Sequence, residues 1–203
     1  MKRVIYIAIF ALATLSVGNV QAQSFGDLLK GLSGLFGSTT TQQAEEKPVY
    51  PTEKEVLGTW IYTEPQIVYE GNDALASLAI STIKGQIPGL AQKFGVVPGQ
   101  DYVTIKKSKI LAVSAGKKAN ATYTYIPSAG KAIITGEHNG KKIIVTGYAT
   151  IKDGQVTVLF DANELIAILS QTKTYKENST LQMMASVIQS YPGIKVGATA
   201  RRK

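Results

Sequence analysis

The chain of 203 residues contains no cysteine. This absence excludes disulfide bonds, cysteine nucleophiles and thiolate metal sites. It also excludes the cysteine to which a bacterial lipoprotein attaches its lipid. A chain of this length can bury a full hydrophobic core without disulfides, so its length favours a single folded domain.

Histidine is almost absent, since His138 is the only one. It stands beside an Asn139-Gly140 turn signal, so an exposed turn residue is a simpler interpretation than a catalytic base or a metal ligand. The Asp161-x-Asn163-Glu164 stretch lacks the length and the glycine of a calcium loop, and it fits a helix cap better. No set of nucleophile, base or metal ligands can be assembled from the sequence. It therefore predicts a protein that is not an enzyme, with no catalytic residue, metal site or cofactor.

Negative charge is scarce: 14 acidic residues stand against 22 lysines and arginines, and the formal net charge is +8. The lysines come as isolated pairs at expected turns, such as Lys106-Lys107 and Lys141-Lys142, and only Arg201-Arg202-Lys203 forms a run. Neither a recognition helix nor an aromatic-basic RNA motif accompanies them, so no nucleic-acid partner is expected. Solvated hairpin ends explain the pairs, and weak attraction to anionic lipid or polysaccharide is the alternative.

The beginning of the chain has the form of an export signal. Two basic residues precede an apolar run from Val4 to Val17, and Val20-Gln21-Ala22 places small residues at a cleavage site. The pattern predicts a signal peptide over residues 1–22. A membrane anchor is the alternative, but the run is shorter than the roughly 20 residues that a spanning helix needs. We therefore expect an exported protein, in the periplasm, in the cell envelope or secreted, that is not a cysteine-linked lipoprotein.

Residues 23–37 are predicted to form a separate amphipathic helix. Its apolar residues recur at helical spacing in one stripe: Phe25, Leu28, Leu29, Leu32, Leu35 and Phe36. Because this stripe cannot bury itself, residues 25–36 are expected to be disordered, to dock on the folded domain or a partner, to self-associate, or to contact a membrane surface. Residues 38–51 lack apolar periodicity and carry Pro48 and Pro51, which predicts a flexible linker before a barrel domain at 52–203.

The folded domain is predicted to be mainly β, with helical insertions. Apolar residues alternate with period two at 59–69 and in six runs joined by short turns, of which Asn139-Gly140 and Asp153-Gly154 are strong hairpin signals. The six runs lie at 101–106, 109–114, 121–126, 131–138, 142–151 and 155–160. With a closing run at 194–202, the pattern predicts an eight-stranded antiparallel barrel whose first and last strands pair.

Three helices are expected between these strands. Asn72 or Asp73 can cap a long helix at 73–94, in which Pro88 is expected to cause a kink or a division. This helix should cover the open mouth or one wall of the barrel. Asp161 can cap a second helix, and Ser179 or Thr180 a third. The expected buried face of the long helix comprises Leu75, Ala79, Ile83, Ile87, Leu90 and Phe94.

Several of these features resemble one known family. They are the leader, the Gly58-Thr59-Trp60 start, the helix after the first strand, Tyr123-Thr124-Tyr125, Leu159-Phe160-Asp161 and the Tyr191-Pro192-Gly193 turn. In this order they resemble exported gut-bacterial proteins of unknown function that are described as lipocalin-like. The resemblance covers nearly all of residues 52–203 and implies a lipocalin- or calycin-like barrel with extra helices. It implies no ligand and no catalytic residue.

One feature of lipocalins can be compared residue by residue. Their Gly-x-Trp tryptophan usually packs under an arginine from the end of the last strand. This chain offers Trp60 together with Arg201 or Arg202. Lipocalins place their helix after the eighth strand, whereas this chain has helices after the first strand and before the last. The insertions argue against an open, cup-shaped site.

Aromatic residues on the expected strands are the candidate ligand contacts: Trp60, Tyr62, Tyr102, Tyr123 and Tyr125. Core packing is the plain interpretation, and a pocket for a small apolar or amphipathic ligand is the alternative. Two hypotheses follow. The first is a binding protein that holds such a molecule in its barrel. The second is a non-catalytic protein- or membrane-surface interaction module with a side-chain-filled barrel. A cavity of at least roughly 300 Å³ would favour the first.

Overall fold

A computed structural model describes residues 47–93, 96–138 and 140–203. Within these ranges, eight strands form a closed antiparallel barrel in chain order, and the first strand pairs with the last. The predicted fold class is therefore confirmed. The signal peptide, the amphipathic helix and residues 38–46 of the linker lie outside the described residues. The strands are β1 (Gly58–Tyr69), β2 (Tyr102–Lys106), β3 (Lys109–Ser114), β4 (Lys117–Ile126), β5 (Lys131–His138), β6 (Lys141–Lys152), β7 (Gln155–Asp161) and β8 (Ile194–Arg202).

Helices flank the barrel at several points. They are α1 (Glu53–Val56), α2 (Ala74–Lys93), α3 (Ala162–Leu169), α4 (Lys173–Lys176) and α5 (Ser179–Ser190). The sequence did not predict the single turn α4. Asp161 caps α3 as expected, accepting hydrogen bonds from the backbone N–H groups of Asn163 and Glu164. Asn178 caps α5, in place of the expected Ser179 or Thr180. Among the described helices, none is both long and apolar enough to cross a membrane.

The hairpin turns follow their local sequence. At the β6–β7 turn, Asp153 has a φ of 51° and Gly154 a φ of 72°, the left-handed pair that matches the twist of two antiparallel strands. Ala115 and Gly116 adopt the same combination between β3 and β4. Strand β4 begins at Lys117, earlier than the predicted residue 121.

Helix α2 covers one wall of the barrel. Strand β1 pairs with β2 only from Gly58 to Ile61, so the rest of that edge has no strand partner among the described residues. Pro65, which lacks a backbone N–H, lies in the part of β1 that pairs with β8 but has no partner on the β2 side. Ile80 and Ile83 of α2 belong to the same core cluster as Ile67 of β1. The helix thus supplies the apolar cover that a neighbouring strand would otherwise give.

Two expectations for α2 need correction. The helix continues through Pro88 to Lys93 and is not divided. Its buried face is Ala76, Ala79, Ile80 and Ile83, whereas Leu75 is 53% exposed. Asp73 caps the helix by accepting hydrogen bonds from the N–H groups of Leu75 and Ala76. Leu75 is exposed because it lies outside the row of positions that packs with Ile67 of β1. The side chains of Ile87 and Leu90, and Phe94 as a whole, lie outside the described residues.

The antiparallel order sorts the connections between two ends of the barrel. At one end, here called the α1 end, lie α1, the start of β1, the end of β8 and the β2–β3, β4–β5 and β6–β7 turns. At the other, the helical end, lie α3, α4, α5 and the β3–β4 and β5–β6 turns. Leu165 of α3 and Ile188 of α5 share one core cluster with Ile134 and Phe160 of the barrel. The helices therefore close the helical end.

The folded domain reaches further towards the N-terminus than the expected start at Thr52. The N–H of Ile151 donates to the carbonyl oxygen of Val49 at 2.8 Å, and Pro51 is fully buried. Strand β6 extends beyond β5, so its last N–H groups need another acceptor, and Val49 of the expected linker supplies one for Ile151.

Asp101 fixes the loop between α2 and β2. Its buried carboxylate accepts hydrogen bonds from Val97 N–H at 2.8 Å, Ser114 Oγ at 3.1 Å and Ala115 N–H at 3.1 Å. The donors come from the α2–β2 loop, from the last residue of β3 and from the turn after it, so this one carboxylate ties the start of β2 to the β3–β4 turn.

Candidate functional site

An apolar cavity of about 120 Å³ lies inside the barrel. Its walls come from strands β1, β2, β3, β5, β7 and β8, and no lining side chain carries a charge or a hydroxyl group. The one polar atom among them, Trp60 Nε1, donates to the carbonyl oxygen of Val56 at 2.9 Å. The lining residues are Trp60, Val103, Ile105, Ile110, Ala112, Ile134, Val156, Val158, Phe160, Ala198 and Ala200.

Small inward side chains account for the empty space. An eight-stranded barrel is just wide enough for its own side chains to fill it or for one small ligand to enter. Ala112, Ala198 and Ala200 stand at wall positions where larger residues would close the interior. Val103 and Val158 keep part of their surface accessible although they face inward, because that surface borders the cavity.

Trp60 closes the cavity towards the α1 end. Its side chain is 3% exposed, and the Arg202 guanidinium carbon lies 5.0 Å from the centre of its ring. Strand register places these two residues opposite each other on β1 and β8. Of the two arginines that the sequence offered, the structure selects Arg202, since Arg201 is opposite Ile61.

The helical turn α1 holds this seal in place. Arg202 Nη2 donates to the carbonyl oxygens of Glu55 and Leu57, at 2.9 and 3.3 Å. Thr52 and Glu55 form a capping box at the other end of α1. Hydrogen bonds from Thr52 lower the pKa of the Glu55 carboxyl group. Gly58 follows with a φ of 128°, a conformation that turns the chain into β1 and that favours glycine.

The structure separates the five predicted ligand contacts. Trp60 lines the cavity, and Tyr62 is buried without being part of the lining. Tyr102 precedes the cavity residue Val103 on β2, so its side chain points to the outer face, where Lys203 Nζ lies 5.4 Å from its ring. Tyr102 therefore lies outside the barrel, contrary to its expected position. The buried Tyr62 differs, and burial raises the pKa of its hydroxyl group.

Tyr123 and Tyr125 face inward but lie beyond the cavity wall. They continue the inward row of Ala119 and Ala121 on β4. Tyr125 Oη donates to the carbonyl oxygen of Pro51 at 2.7 Å. Burial raises the pKa of Tyr125 to about 12, and the nearby Glu55 carboxylate adds to the effect. Burial also raises the pKa of Tyr123, with Glu53 as the second cause. Both rings act as packing near the α1 end.

Sequence reasoning missed the aliphatic wall. It selected aromatic residues, whereas most lining residues are valine, isoleucine or alanine. The available signal was the spacing of alanines at alternate positions, such as Ala198 and Ala200, on strands that otherwise carry large inward residues. The described residues contain no group of three or more histidine, cysteine, aspartate or glutamate residues that could hold a metal. The His138 side chain lies outside the described part.

Comparison with protein families shows which family the chain is related to. A model of the lipocalin-like domain (DUF4923) matches residues 35–202. The chain belongs to this lipocalin-like domain family. The match includes the whole barrel of the lipocalin-like domain and the residues just before it. Neither the comparison with curated proteins nor that with solved structures finds a significant match.

Proposed function

We propose that this lipocalin-like domain binds a compact, uncharged, apolar molecule inside its barrel. The observation that supports the proposal is the cavity of about 120 Å³ whose lining side chains carry no charge and no hydroxyl group. A charged group placed there would lose its hydration without gaining a partner, which is strongly unfavourable. The wall therefore selects against ions and against strongly polar ligands.

The volume limits the ligand further. Drug-sized ligands occupy pockets of roughly 300 to 1,000 Å³, so a whole fatty acid or bile acid does not fit the cavity as it stands. An apolar cavity of about 150 Å³ in another protein stays dry and takes up benzene or xenon. A molecule near the size of benzene is thus the expected occupant. An amphipathic ligand could place only a short apolar part inside.

Trp60 and the alanine wall are the proposed contacts. Trp60 would cover one side of the ligand, and Ala198 and Ala200 would set the available volume. Among the residues proposed from the sequence, Tyr62, Tyr123 and Tyr125 would support the barrel around the site. Binding would involve no chemical step, so we propose a binding protein and not an enzyme.

The experiment measures ligand-induced stabilisation. Benzene, toluene and indole are added as probes during chemical unfolding, and Trp60 fluorescence in the folded state is recorded with benzene and toluene, since indole itself fluoresces like tryptophan. A ligand that binds only the folded protein at a hundredfold excess over its dissociation constant adds about 2.7 kcal/mol to the free energy of unfolding. Stabilisation by at least one probe is expected. Failure of all three probes to stabilise the protein would contradict the proposal.

A matched pair of variants tests whether the probes stabilise the protein by binding in the cavity. Ala198→Leu places a larger side chain in the cavity, and Thr135→Leu places the same side chain on the outer face of β5. The first variant should lose the probe-induced stabilisation, and the second should keep it. Equal responses of the two variants would show that the probes bind elsewhere.

Cellular location is also a proposal. We infer export from the leader pattern of residues 1–22, in keeping with the resemblance to exported gut-bacterial proteins. Detection of the mature N-terminus in the culture medium or the periplasm of the source cell would support export. An uncleaved chain in the cytoplasm would contradict it.

A further inference from the structure

The fold gathers basic residues that are scattered in the sequence. Chain order separates the β2–β3 hairpin from the end of β8 by about half the chain, but the barrel brings both to the α1 end. The side chains gathered there are exposed, and we call them the basic rim: Lys106, Lys107, Lys109, Arg201 and Lys203. Three further lysines, at positions 47, 54 and 131, lie at the same end.

Few carboxylates balance this charge. Among the described residues, the α1 end carries Glu53, Glu55 and Asp153, and the Glu55 carboxylate accepts a hydrogen bond from Thr52 N–H at 2.7 Å. The helical end differs, since it carries more carboxylates, and two of its lysines form ion pairs with them. Lys195 pairs with Glu70 at 2.6 Å, and the exposed Lys173 pairs with Glu177 at 3.5 Å. Among the described residues, the excess of positive charge is therefore concentrated at the α1 end.

Exposed apolar side chains accompany the basic rim. Val49 is 62% exposed, Tyr50 40% and Ile126 39%, and all three lie at the α1 end. A polyanion such as nucleic acid would use the lysines but would gain little from exposed valine and isoleucine. A lipid surface uses both, because cations attract anionic headgroups while apolar and aromatic side chains enter the interfacial region.

The remaining chain enters the barrel at this same end. Residues 25–36 carry the apolar stripe recognised in the sequence, and only the ten residues 37–46 separate them from Lys47. Ten residues span at most about 35 Å even when fully extended. A surface that binds the stripe therefore lies within reach of the basic rim, whatever conformation the intervening residues adopt.

We propose that the α1 end of the barrel docks on an anionic lipid bilayer. The basic rim contacts the headgroups, and Val49, Tyr50 and Ile126 enter the interface. Each lysine or arginine near an anionic surface strengthens binding by about fivefold, and the attraction fades beyond a Debye length of about 8–10 Å at physiological salt. Binding at this face leaves the barrel cavity unchanged, so this inference is independent of the proposed ligand.

Vesicle binding tests the proposal. The chain from Gln23, the predicted mature form, is centrifuged with vesicles of phosphatidylcholine and with vesicles containing phosphatidylglycerol. Wild type should bind the anionic vesicles and should dissociate as salt is raised. Charge reversal of Lys106, Lys107 and Lys109 to Glu should weaken binding by at least about tenfold. Equal binding to the neutral and the anionic vesicles would overturn the proposal.

The matched control reverses the same number of charges at the helical end. Lys118, Lys141 and Lys142 changed to Glu give the same net charge, and this variant should bind the anionic vesicles within about threefold of wild type. Equal loss in both triple variants would show an effect of net charge alone and would refute a specific face. Circular dichroism and thermal unfolding verify that both variants fold.

Two further measurements separate the alternatives. Val49→Ser should weaken binding to anionic vesicles at low salt, where the rim contacts persist, because it removes the inserted apolar side chain without changing the net charge. Leu28→Asp with Leu32→Asp tests the N-terminal stripe. If this pair abolishes binding while reversal of Lys106, Lys107 and Lys109 has no effect, the barrel face is not the docking surface. Rim-dependent binding to single-stranded DNA without vesicle binding would assign the face to a different partner.

Discussion

Replacing Trp60 by alanine should cost more stability than any other single change at the α1 end. The indole is 3% exposed and borders the barrel cavity, so its removal enlarges an existing void that the surrounding strands cannot fill. Substitutions of buried Phe or Trp by Ala cost about 3–5 kcal/mol. The Val56 carbonyl also loses the hydrogen bond from Trp60 Nε1. A domain with a total stability of about 5–15 kcal/mol would lose a large share of it.

Arginine variants show how much of this loss of stability comes from the contact between Trp60 and Arg202. Arg202→Ala removes the contact with the Trp60 ring and two hydrogen bonds to α1 carbonyls, and we expect a loss of about 1–2 kcal/mol. Arg201→Ala is the matched control, because that exposed side chain lies opposite Ile61 and should change stability by less than about 0.5 kcal/mol. The double variant of Trp60 and Arg202 should show a coupling energy of about 0.5–2 kcal/mol.

Urea unfolding followed by circular dichroism measures these differences. Fluorescence is unsuitable for the alanine variant, because Trp60 is the only tryptophan. If Trp60→Ala fails to fold, Trp60→Phe keeps a ring without the Nε1 hydrogen bond and should give an intermediate loss. A loss below about 1 kcal/mol for Trp60→Ala would mean that the ring does not seal the barrel. Equal costs for the two arginine variants would refute the register between β1 and β8.

Other predictions concern single contacts. Tyr125→Phe should cost about 1 kcal/mol near neutral pH, because the Pro51 carbonyl loses its donor. The folded-state pKa of Tyr125, about 12, exceeds the ordinary value of 10.0, so the neutral hydroxyl stabilises the fold below pH 10 and this contribution is lost between pH 10 and 12. The phenylalanine variant should show a shallower alkaline loss in unfolding titrations. Asp101→Asn should cost about 1–3 kcal/mol in urea unfolding, since the amide keeps one acceptor oxygen but its NH₂ would face either the Val97 N–H or the Ala115 N–H, and an unchanged midpoint would contradict the assigned hydrogen bonds. Gly58→Ala should cost about 1–3 kcal/mol because a side chain is strained at a φ of 128°, and a silent change would refute that backbone conformation.

Local signals in the sequence determined most of the fold. Alternation with period two marked the strands, and turn residues such as Asp153-Gly154 marked where they reverse. The caps at Asp73 and Asp161 were also readable, because a capping side chain contacts N–H groups only two or three residues away. Such interactions depend only on residues a few positions apart, so a short stretch of sequence is enough to predict them. Strand number, strand order and barrel closure followed from it.

Tertiary structure decided which face of each strand is inside. Tyr102 and Val103 are both apolar enough for a core, and only the pairing of β2 with β1 places Val103 beside Trp60 in the interior. When both faces of a strand carry large apolar residues, alternation identifies the two faces but does not show which one is buried. The same limit applies to Leu75, because only the packing of Ile80 and Ile83 with Ile67 places it on the solvent side of α2.

The candidate site and the basic rim also depended on distant contacts. The cavity volume is what remains after side chains from six strands meet, so a single alanine such as Ala198 signals nothing until its neighbours across the barrel are known. Lys107 and Arg201 lie far apart in the sequence, and their shared position at the α1 end follows from closure of the barrel. The sequence determined the residues of each strand. The tertiary structure determined which of them share a cavity or a surface, because those distances are set by strand pairing across the whole barrel.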